Sequence, residues 1–272
     1  MMSAFLRPAA GSQRAAMFAA VLALGLMALP AGISAASEGN ADARAAFANA
    51  ERFQTGGDVR SARIELMNAI KADPQWIDAR VAQAEILLML FDGIAAEAEL
   101  QQAFDLGLEP RTVRHLYGHA LQLQGKLRRA KEQLLADDIP LAHHGYAARV
   151  MGRVALQLGD DVLASQSFDR AIKLNGDDSG LWVDIARFRF DFGDQAGAIN
   201  AVDEAVKLDP NNVRALQYRG ELLRFQFGLG AALPWFERGL QIDPNDVLLL
   251  TEYAARSEEH TSELQSHVRI SY

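Results

Sequence analysis

Residues 179–212 read SGLWVDIARFRFDFGDQAGAINAVDEAVKLDPNN. Two helix-forming runs are separated by Gly193-Asp194, and the second run stops at Asp209-Pro210. Glycine can take the positive φ that ends a helix, and aspartate can cap the helix that follows. Proline lacks an amide hydrogen and disfavours helical geometry in the residue before it. The stretch therefore predicts two short helices joined by a tight turn.

This pattern repeats along the chain with a period of 34 residues. The pairs Asp73-Pro74, Asp209-Pro210 and Asp243-Pro244 are separated by 136 and 34 residues, and 136 is four times 34. Six consecutive units fit one register without insertion or deletion, starting at Ala43, Ile77, Arg111, Gly145, Ser179 and Val213. Periods of about 20–50 residues are typical of stacked arrays in which each repeat is one supersecondary unit.

Small residues recur at fixed places in these units. The eighth place holds only Gly or Ala, namely Ala50, Ala84, Gly118, Gly152, Ala186 and Gly220. The twentieth holds only Ala, namely Ala62, Ala96, Ala130, Ala164, Ala198 and Ala232. The twenty-fourth holds larger apolar residues, namely Leu66, Leu100, Leu134, Phe168, Val202 and Phe236. Small residues let helix backbones approach closely, so the pattern predicts packed antiparallel pairs.

Residues 43–246 resemble the tetratricopeptide repeat (TPR) family in unit length, small-residue places and terminal proline. The match is fullest in the fifth unit, which has Trp182, Gly193, Ala198, Ala205 and Pro210. The resemblance implies an all-α fold, a right-handed superhelical solenoid of antiparallel helix pairs with a concave inner surface. It also implies a scaffold that binds proteins or extended peptides, rather than an enzyme.

The third unit departs from the pattern at its end. Asp137 and Asp138 occupy places that are normally apolar, and Pro140 arrives early. We therefore expect a short second helix and a kinked or loosened junction between units three and four.

The N-terminus predicts export. Residues 1–14 carry Arg7 and Arg14 and no acid, residues 15–29 are apolar without interruption, and Pro30 follows. This is the layout of a secretory signal peptide, so residues 1–36 are assigned to one and residues 37–42 to a short linker. Cleavage is expected after Ala36, or after Ala35, giving a periplasmic or secreted protein. The alternative is an uncleaved inner-membrane anchor, although 15 apolar residues fall short of the roughly 20 that span a bilayer.

The C-terminus breaks the repeat. Residues 247–255 begin a seventh unit, and residues 256–272 (RSEEHTSELQSHVRISY) leave the pattern. This last string resembles a translated sequencing adapter, so the intact protein is expected to continue the array beyond residue 255. A disordered polar tail is the alternative.

Composition excludes several classes of site. The chain has no cysteine, which excludes disulfides, thiol catalysis, zinc-cysteinate sites and a lipidated N-terminal cysteine. The net charge of the chain is -8, and residues 1–36 carry a charge of +2 while residues 256–272 carry -1. Residues 37–255 therefore carry a charge of -9, which argues against nucleic acid as the partner. No phosphate-binding glycine loop, nucleophile elbow or metalloprotease motif is present, and no cofactor is expected.

Two functions remain open from the sequence. The first is a non-catalytic scaffold for envelope assembly or polysaccharide export. The second is an N-terminal adaptor array of a longer transferase or hydrolase.

The i, i+4 pair His115 and His119 could place two imidazoles on one metal. Because that helix offers no third ligand, two solvated histidines are favoured and no metal site is predicted. His143-His144 is interpreted as a loop surface.

The inner face implied by the resemblance offers a candidate peptide site. Its predicted residues on the first helices are His115, His119, Tyr146, Arg149, Arg153, Arg187, Phe190 and Tyr218. Arginine presents a planar donor fork to carboxylates, so the expected ligand is an extended peptide with acidic side chains or a C-terminal carboxylate. The alternative is a solvated face on which the arginines pair with local Glu and Asp184. The fifth and ninth places hold no Lys or Asn, so the carboxylate-binding arrangement of chaperone-binding TPR proteins does not carry over.

Overall fold

The computed structural model describes residues 39–253. Twelve α-helices in these residues form six consecutive pairs, which confirms the predicted all-α array of antiparallel helix pairs. The pairs are α1 (Ala41–Thr55) with α2 (Val59–Ala72), α3 (Ile77–Met89) with α4 (Gly93–Asp105), α5 (Pro110–Leu123) with α6 (Leu127–Leu134), α7 (His144–Leu158) with α8 (Asp161–Asn175), α9 (Ser179–Asp191) with α10 (Gln195–Leu208), and α11 (Val213–Phe227) with α12 (Leu229–Ile242). Residues 247–253 are also helical.

The small eighth residue of each first helix faces the larger twenty-fourth residue of its second helix. A Cβ added to Gly152 would lie only 2.6 Å from the ring of Phe168, and one added to Gly118 would lie 2.7 Å from Leu134. Gly220 meets Phe236 in the same way. Where the twenty-fourth residue is phenylalanine, the eighth is therefore glycine, because the ring fills the space that the methyl group of an alanine would need.

The predicted turn residues cap the second helices. The Asp58, Asp160 and Asp194 side chains accept hydrogen bonds from the backbone amides of Ser61, Leu163 and Gly197 respectively. The residue before each aspartate is a glycine with a φ between +72° and +82°. In the second pair Phe91 takes this place with a φ of +61°, and it is the only non-glycine residue with positive φ among residues 39–253. A bulky side chain in this left-handed region costs about 1–2 kcal/mol, so Phe91 is retained against a local penalty.

The short second helix predicted for the third unit is confirmed. Helix α6 has 8 residues, whereas α8 has 15, and a 3₁₀ helix (Leu141–His143) leads into α7. Asp138 leaves the helix and pairs with Arg114 at 2.7 Å. Helix α6 ends early because Asp137 and Asp138 cannot make the apolar contacts of the usual residues at these places, and because Pro140 has no amide hydrogen to donate to a helical hydrogen bond.

Two contacts join the first units to the last. The guanidinium of Arg214 on α11 lies over the ring of Phe91, 4.2 Å from its centroid. Arg60 on α2 pairs with Asp243, the residue after α12, at 3.2 Å. Packed helices lie about 8–10 Å apart, so a straight stack would keep the second and sixth pairs several helix widths apart. The array must therefore curve, with Phe91 and Arg214 on its inner side.

Several predictions lie outside the described residues. These are the signal peptide and its cleavage site in residues 1–36, and the adapter-like residues 256–272. Within residues 39–253, no helix combines the length and apolar character needed to span a membrane.

Candidate binding groove

The eight predicted site residues lie on α5, α7, α9 and α11. They lie along the inner side of the array, and we call the surface that they form the groove. His119 Nδ1 is hydrogen-bonded to the Tyr146 hydroxyl, and Arg153 Nη2 donates to His119 Nε2 at 2.9 Å. A guanidinium can only donate hydrogen bonds, so Nε2 of His119 is the acceptor. Its Nδ1 therefore carries the proton and donates a hydrogen bond to the Tyr146 hydroxyl. The third and fourth repeats thus share one polar network.

The expectation of solvated histidines is wrong. His115 and His119 are only 4% and 7% exposed. The ring of His115 stacks on that of His143, with centroids 3.8 Å apart and planes 10° from parallel. Burial, followed by the nearby His143, lowers the pKa of His115 to about 3, and burial with the charge of Arg153 lowers that of His119 to about 2. Both imidazoles are therefore neutral parts of the wall at neutral pH.

His143 also differs from the predicted loop surface, since it packs against His115 and is half-buried. His144 is half-buried as well, and its Nε2 contacts the carbonyl of Ile139 at 2.9 Å. The sequence could not reveal these contacts because they depend on how the shortened α6 places the segment that connects it to α7.

Among residues 39–253 there is no group of three or more His, Asp or Glu arranged to hold a metal ion.

Arg149 is held within the protein by two carboxylates. Its Nε donates to Asp184 at 2.6 Å and its Nη1 donates to Asp178 at 2.9 Å. Arg153 lies 3.8 Å from the same Asp184. Burial alone would raise the pKa of Asp184, but the charges of Arg149 and Arg153 lower it overall. The local pairing with Asp184 considered from the sequence is therefore present for these two arginines.

Arg187 and Arg214 differ from that pair. Neither has a carboxylate within 4 Å among residues 39–253, and the buried Nε of Arg187, like that of Arg153, has no hydrogen-bond partner there. The guanidinium of Arg187 lies over Tyr218, 4.8 Å from the ring centroid, as Arg214 lies over Phe91. Partial desolvation of its guanidinium, and then the charge of Arg187, lower the pKa of Arg214 to about 10 against the opposing charge of Asp184. The groove therefore carries two arginines that have no direct ion pair among residues 39–253, although Asp184 acts on Arg214 from a distance.

Arg214 was not among the predicted site residues. It stands at the second place of the sixth unit, which belongs to the inner face of the repeat family, so its place was an available signal. The sequence offered no sign of how Arg214 lies in the groove, because its position depends on Phe91, which is 123 positions away in the sequence.

A cavity of about 600 Å³ lies at the far end of the groove, between α9, α11 and residue 252. Its walls include Arg187, Phe190, Asp191, Tyr218, Glu221 and Phe225. The rings of Phe190 and Phe225 meet edge to face with centroids 5.3 Å apart. We call this cavity the aromatic pocket. It brings two of the three predicted aromatic residues, Phe190 and Tyr218, into one site.

Comparison with solved structures identifies the fold. PilW, a widely conserved type IV pilus biogenesis factor, is 19% identical, with 78% of this chain and 98% of PilW covered and a TM-score of 0.51. A chain of the APC/C hetero-tetramer Cut9–Hcn1 is 17% identical, with 78% of this chain but only 42% of that chain covered and a TM-score of 0.56. PilF of Pseudomonas aeruginosa is 19% identical, with coverages of 79% and 97% and a TM-score of 0.47. No model of a known protein family matches this chain. The fold is that of tetratricopeptide repeat structures.

Proposed function

We propose that the chain is a non-catalytic scaffold that binds an acidic segment of a partner protein in the groove. The observation that supports this most directly is that Arg187 and Arg214 face the groove without a carboxylate partner among residues 39–253. The likeness to PilW and Cut9–Hcn1 is one of fold, so the proposal rests on these side chains and not on the similar structures.

The four groove arginines divide into two kinds. Arg149 pairs with Asp178 and Asp184, and Arg153 lies 3.8 Å from Asp184, so these two arginines organise the wall. Arg187 and Arg214 have no direct carboxylate partner among residues 39–253, and their mutual repulsion is one reason why the pKa of Arg214 falls to about 10. A negatively charged ligand would relieve this repulsion.

The geometry of the two free arginines suits a carboxylate. Tyr218 and Phe91 each cover one face of a guanidinium, which restrains the group and leaves its N–H edge available as a donor fork. Carboxylates accept such forks in a bidentate manner, and hydrogen bonds to charged groups contribute about 1.5–3 kcal/mol each. Acidic side chains or a C-terminal carboxylate of a partner would meet this requirement, with His115, His119 and Tyr146 forming the adjoining wall.

The test uses two fluorescein-labelled peptides of equal length, one of alternating Glu and Gly and one of alternating Gln and Gly. We expect the Glu peptide to bind more tightly by fluorescence anisotropy, and its binding to weaken as the salt concentration rises. The double variant Arg187→Gln, Arg214→Gln should lose at least tenfold in affinity for the Glu peptide. The same charge change at Arg63→Gln, Arg128→Gln is the control, since these exposed residues lie on α2 and α6, away from the groove.

Equal binding of the Glu and Gln peptides would reject the proposal. So would equal losses in the groove variant and the control variant, because the effect would then come from net charge alone. Circular dichroism of each variant shows whether the fold is kept.

A further inference from the structure

The aromatic pocket is lined by three carboxylates and two arginines, which leaves one carboxylate in excess: Asp191, Glu221 and Glu252 against Arg187 and Arg224. Arg224 and Glu252 at its edge pair with each other. Asp191 and Glu221 have no cation within 4 Å among residues 39–253, and Glu221 accepts a hydrogen bond only from the neutral amide of Gln217, at 2.8 Å. Burial raises the pKa of Glu221 despite the opposing effect of Arg187, which indicates a carboxylate with little compensation.

The walls of the pocket are aromatic. Phe190, Tyr218 and Phe225 surround a space of about 600 Å³, which is ample for one long side chain. Phe225 is 66% exposed, so its ring is available to a ligand. Aromatic faces attract cations and also pack against methylene chains.

We infer that the aromatic pocket receives a lysine or arginine side chain of the same partner segment whose acidic group binds Arg187 and Arg214. The aliphatic stem would pack on Phe190 and Phe225, and the cationic head would neutralise Asp191 and Glu221. An uncharged aromatic side chain would fill the space but would leave two carboxylates desolvated and unpaired, which is unfavourable. An acidic side chain would be repelled. The inference deepens the proposed function and rests on it.

The two subsites adjoin at Arg187, and their far ends are spaced along α11. Arg214 lies in the first turn of α11 and Glu221 lies seven residues later, about 10 Å along the helix axis at 1.5 Å per residue. An extended chain advances about 3.3–3.6 Å per residue, so about three residues cover this distance. The partner segment would therefore carry its acidic and basic residues about three positions apart, and this order would set the direction in which it binds.

The experiment uses peptides with two N-terminal glutamates, a spacer of one to four glycines, and a last residue that is lysine, norleucine or glutamate. Norleucine keeps the stem of lysine and removes its charge. At the best spacing, we expect the lysine peptide to bind about five- to tenfold more tightly than the norleucine peptide, and the glutamate peptide to bind most weakly. The variant Asp191→Asn, Glu221→Gln should remove the preference for lysine over norleucine while keeping the binding that depends on the two glutamates.

A pair of phenylalanines provides the matched control. Phe225 and Phe227 end the same helix and are 66% and 65% exposed, but only Phe225 lines the pocket. Phe225→Ser should weaken both lysine and norleucine peptides, and Phe227→Ser should leave both unchanged. Equal binding of lysine and norleucine peptides at every spacing, with binding still dependent on the two glutamates, would overturn this inference and leave the proposed function standing. Failure of every peptide to bind would overturn both.

Discussion

The Nε of Arg149 donates to the carboxylate of Asp184 at 2.6 Å, across the boundary between the fourth and fifth repeats. The same carboxylate lies 3.8 Å from Arg153, and Asp184 itself is only 8% exposed. One buried acid therefore compensates two cations on the neighbouring helix, and it fixes how α7 and α9 sit together in the wall of the groove.

Replacing this acid should destabilise the fold strongly. We expect Asp184→Asn to lower the free energy of unfolding by about 3 kcal/mol, because Arg149 and Arg153 would remain largely buried without their shared countercharge. Urea denaturation measures the change. Asp177→Asn is the control, since Asp177 is exposed and should lose less than about 0.5 kcal/mol. A loss below about 1 kcal/mol for Asp184→Asn would contradict this account of the network.

The pairing of Gly152 with Phe168 predicts a compensating double variant. Gly152→Ala should destabilise by about 1 kcal/mol or more, because the strain of forcing the Phe168 ring aside exceeds the gain in helix propensity. Adding Phe168→Leu recreates the Ala and Leu found at the same places in the first two repeats, Ala50 with Leu66 and Ala84 with Leu100. A double-mutant cycle should give a favourable coupling of about 1 kcal/mol, and strict additivity would refute the steric explanation.

A glycine at position 91 should give a more stable protein than an alanine at the same position. Its φ of +61° suits glycine, which four of the other five repeats have at the same place. We expect Phe91→Gly to be about 1 kcal/mol more stable than Phe91→Ala, because both lose the ring over Arg214 and only alanine keeps the strained backbone. Thermal or urea denaturation compares the two variants. Equal stabilities would mean that the turn is not strained.

The buried histidines should make the fold sensitive to acid. In the unfolded chain His115 takes up a proton near pH 6.5, whereas in the folded protein its pKa is about 3. Between these values the unfolded state binds more protons, so stability falls as the pH is lowered through this window, by about 1.4 kcal/mol per pH unit at most for each such histidine. His115→Gln should reduce the slope of stability against pH between pH 4 and 6 and leave the slope above pH 7 unchanged. Identical slopes in variant and parent would contradict the assignment.

The junction after α6 should exchange its amide hydrogens faster than the repeat cores. Residues 139–145 contain the 3₁₀ helix and the first residues of α7, whose amides have few helical partners. Hydrogen exchange followed by mass spectrometry should show less protection there than in the middle of α7 or α9. Equal protection would show that the junction is as firmly packed as the cores.

The repeat length, the helix pairs, the capped turns and the early end of α6 could all be predicted from the sequence. They depend on short-range chemistry: an aspartate caps the helix that it precedes, a proline ends a helix locally, and a small residue every 34 positions marks a close contact wherever the array goes. The helix-pair fold follows because each unit can bury its apolar face only against its neighbours.

The character of the groove was decided by the tertiary structure. The sequence placed His115, His119, Arg149, Arg153 and Arg187 on one face, but it could not separate the arginines that have a carboxylate within 4 Å from those that do not. That distinction depends on Asp184, which is 35 residues from Arg149, and on Phe91, which reaches Arg214 only because the array curves. Charge compensation and burial fall off over a few ångströms in space, so only the packed structure determines which of these side chains remain open to a partner.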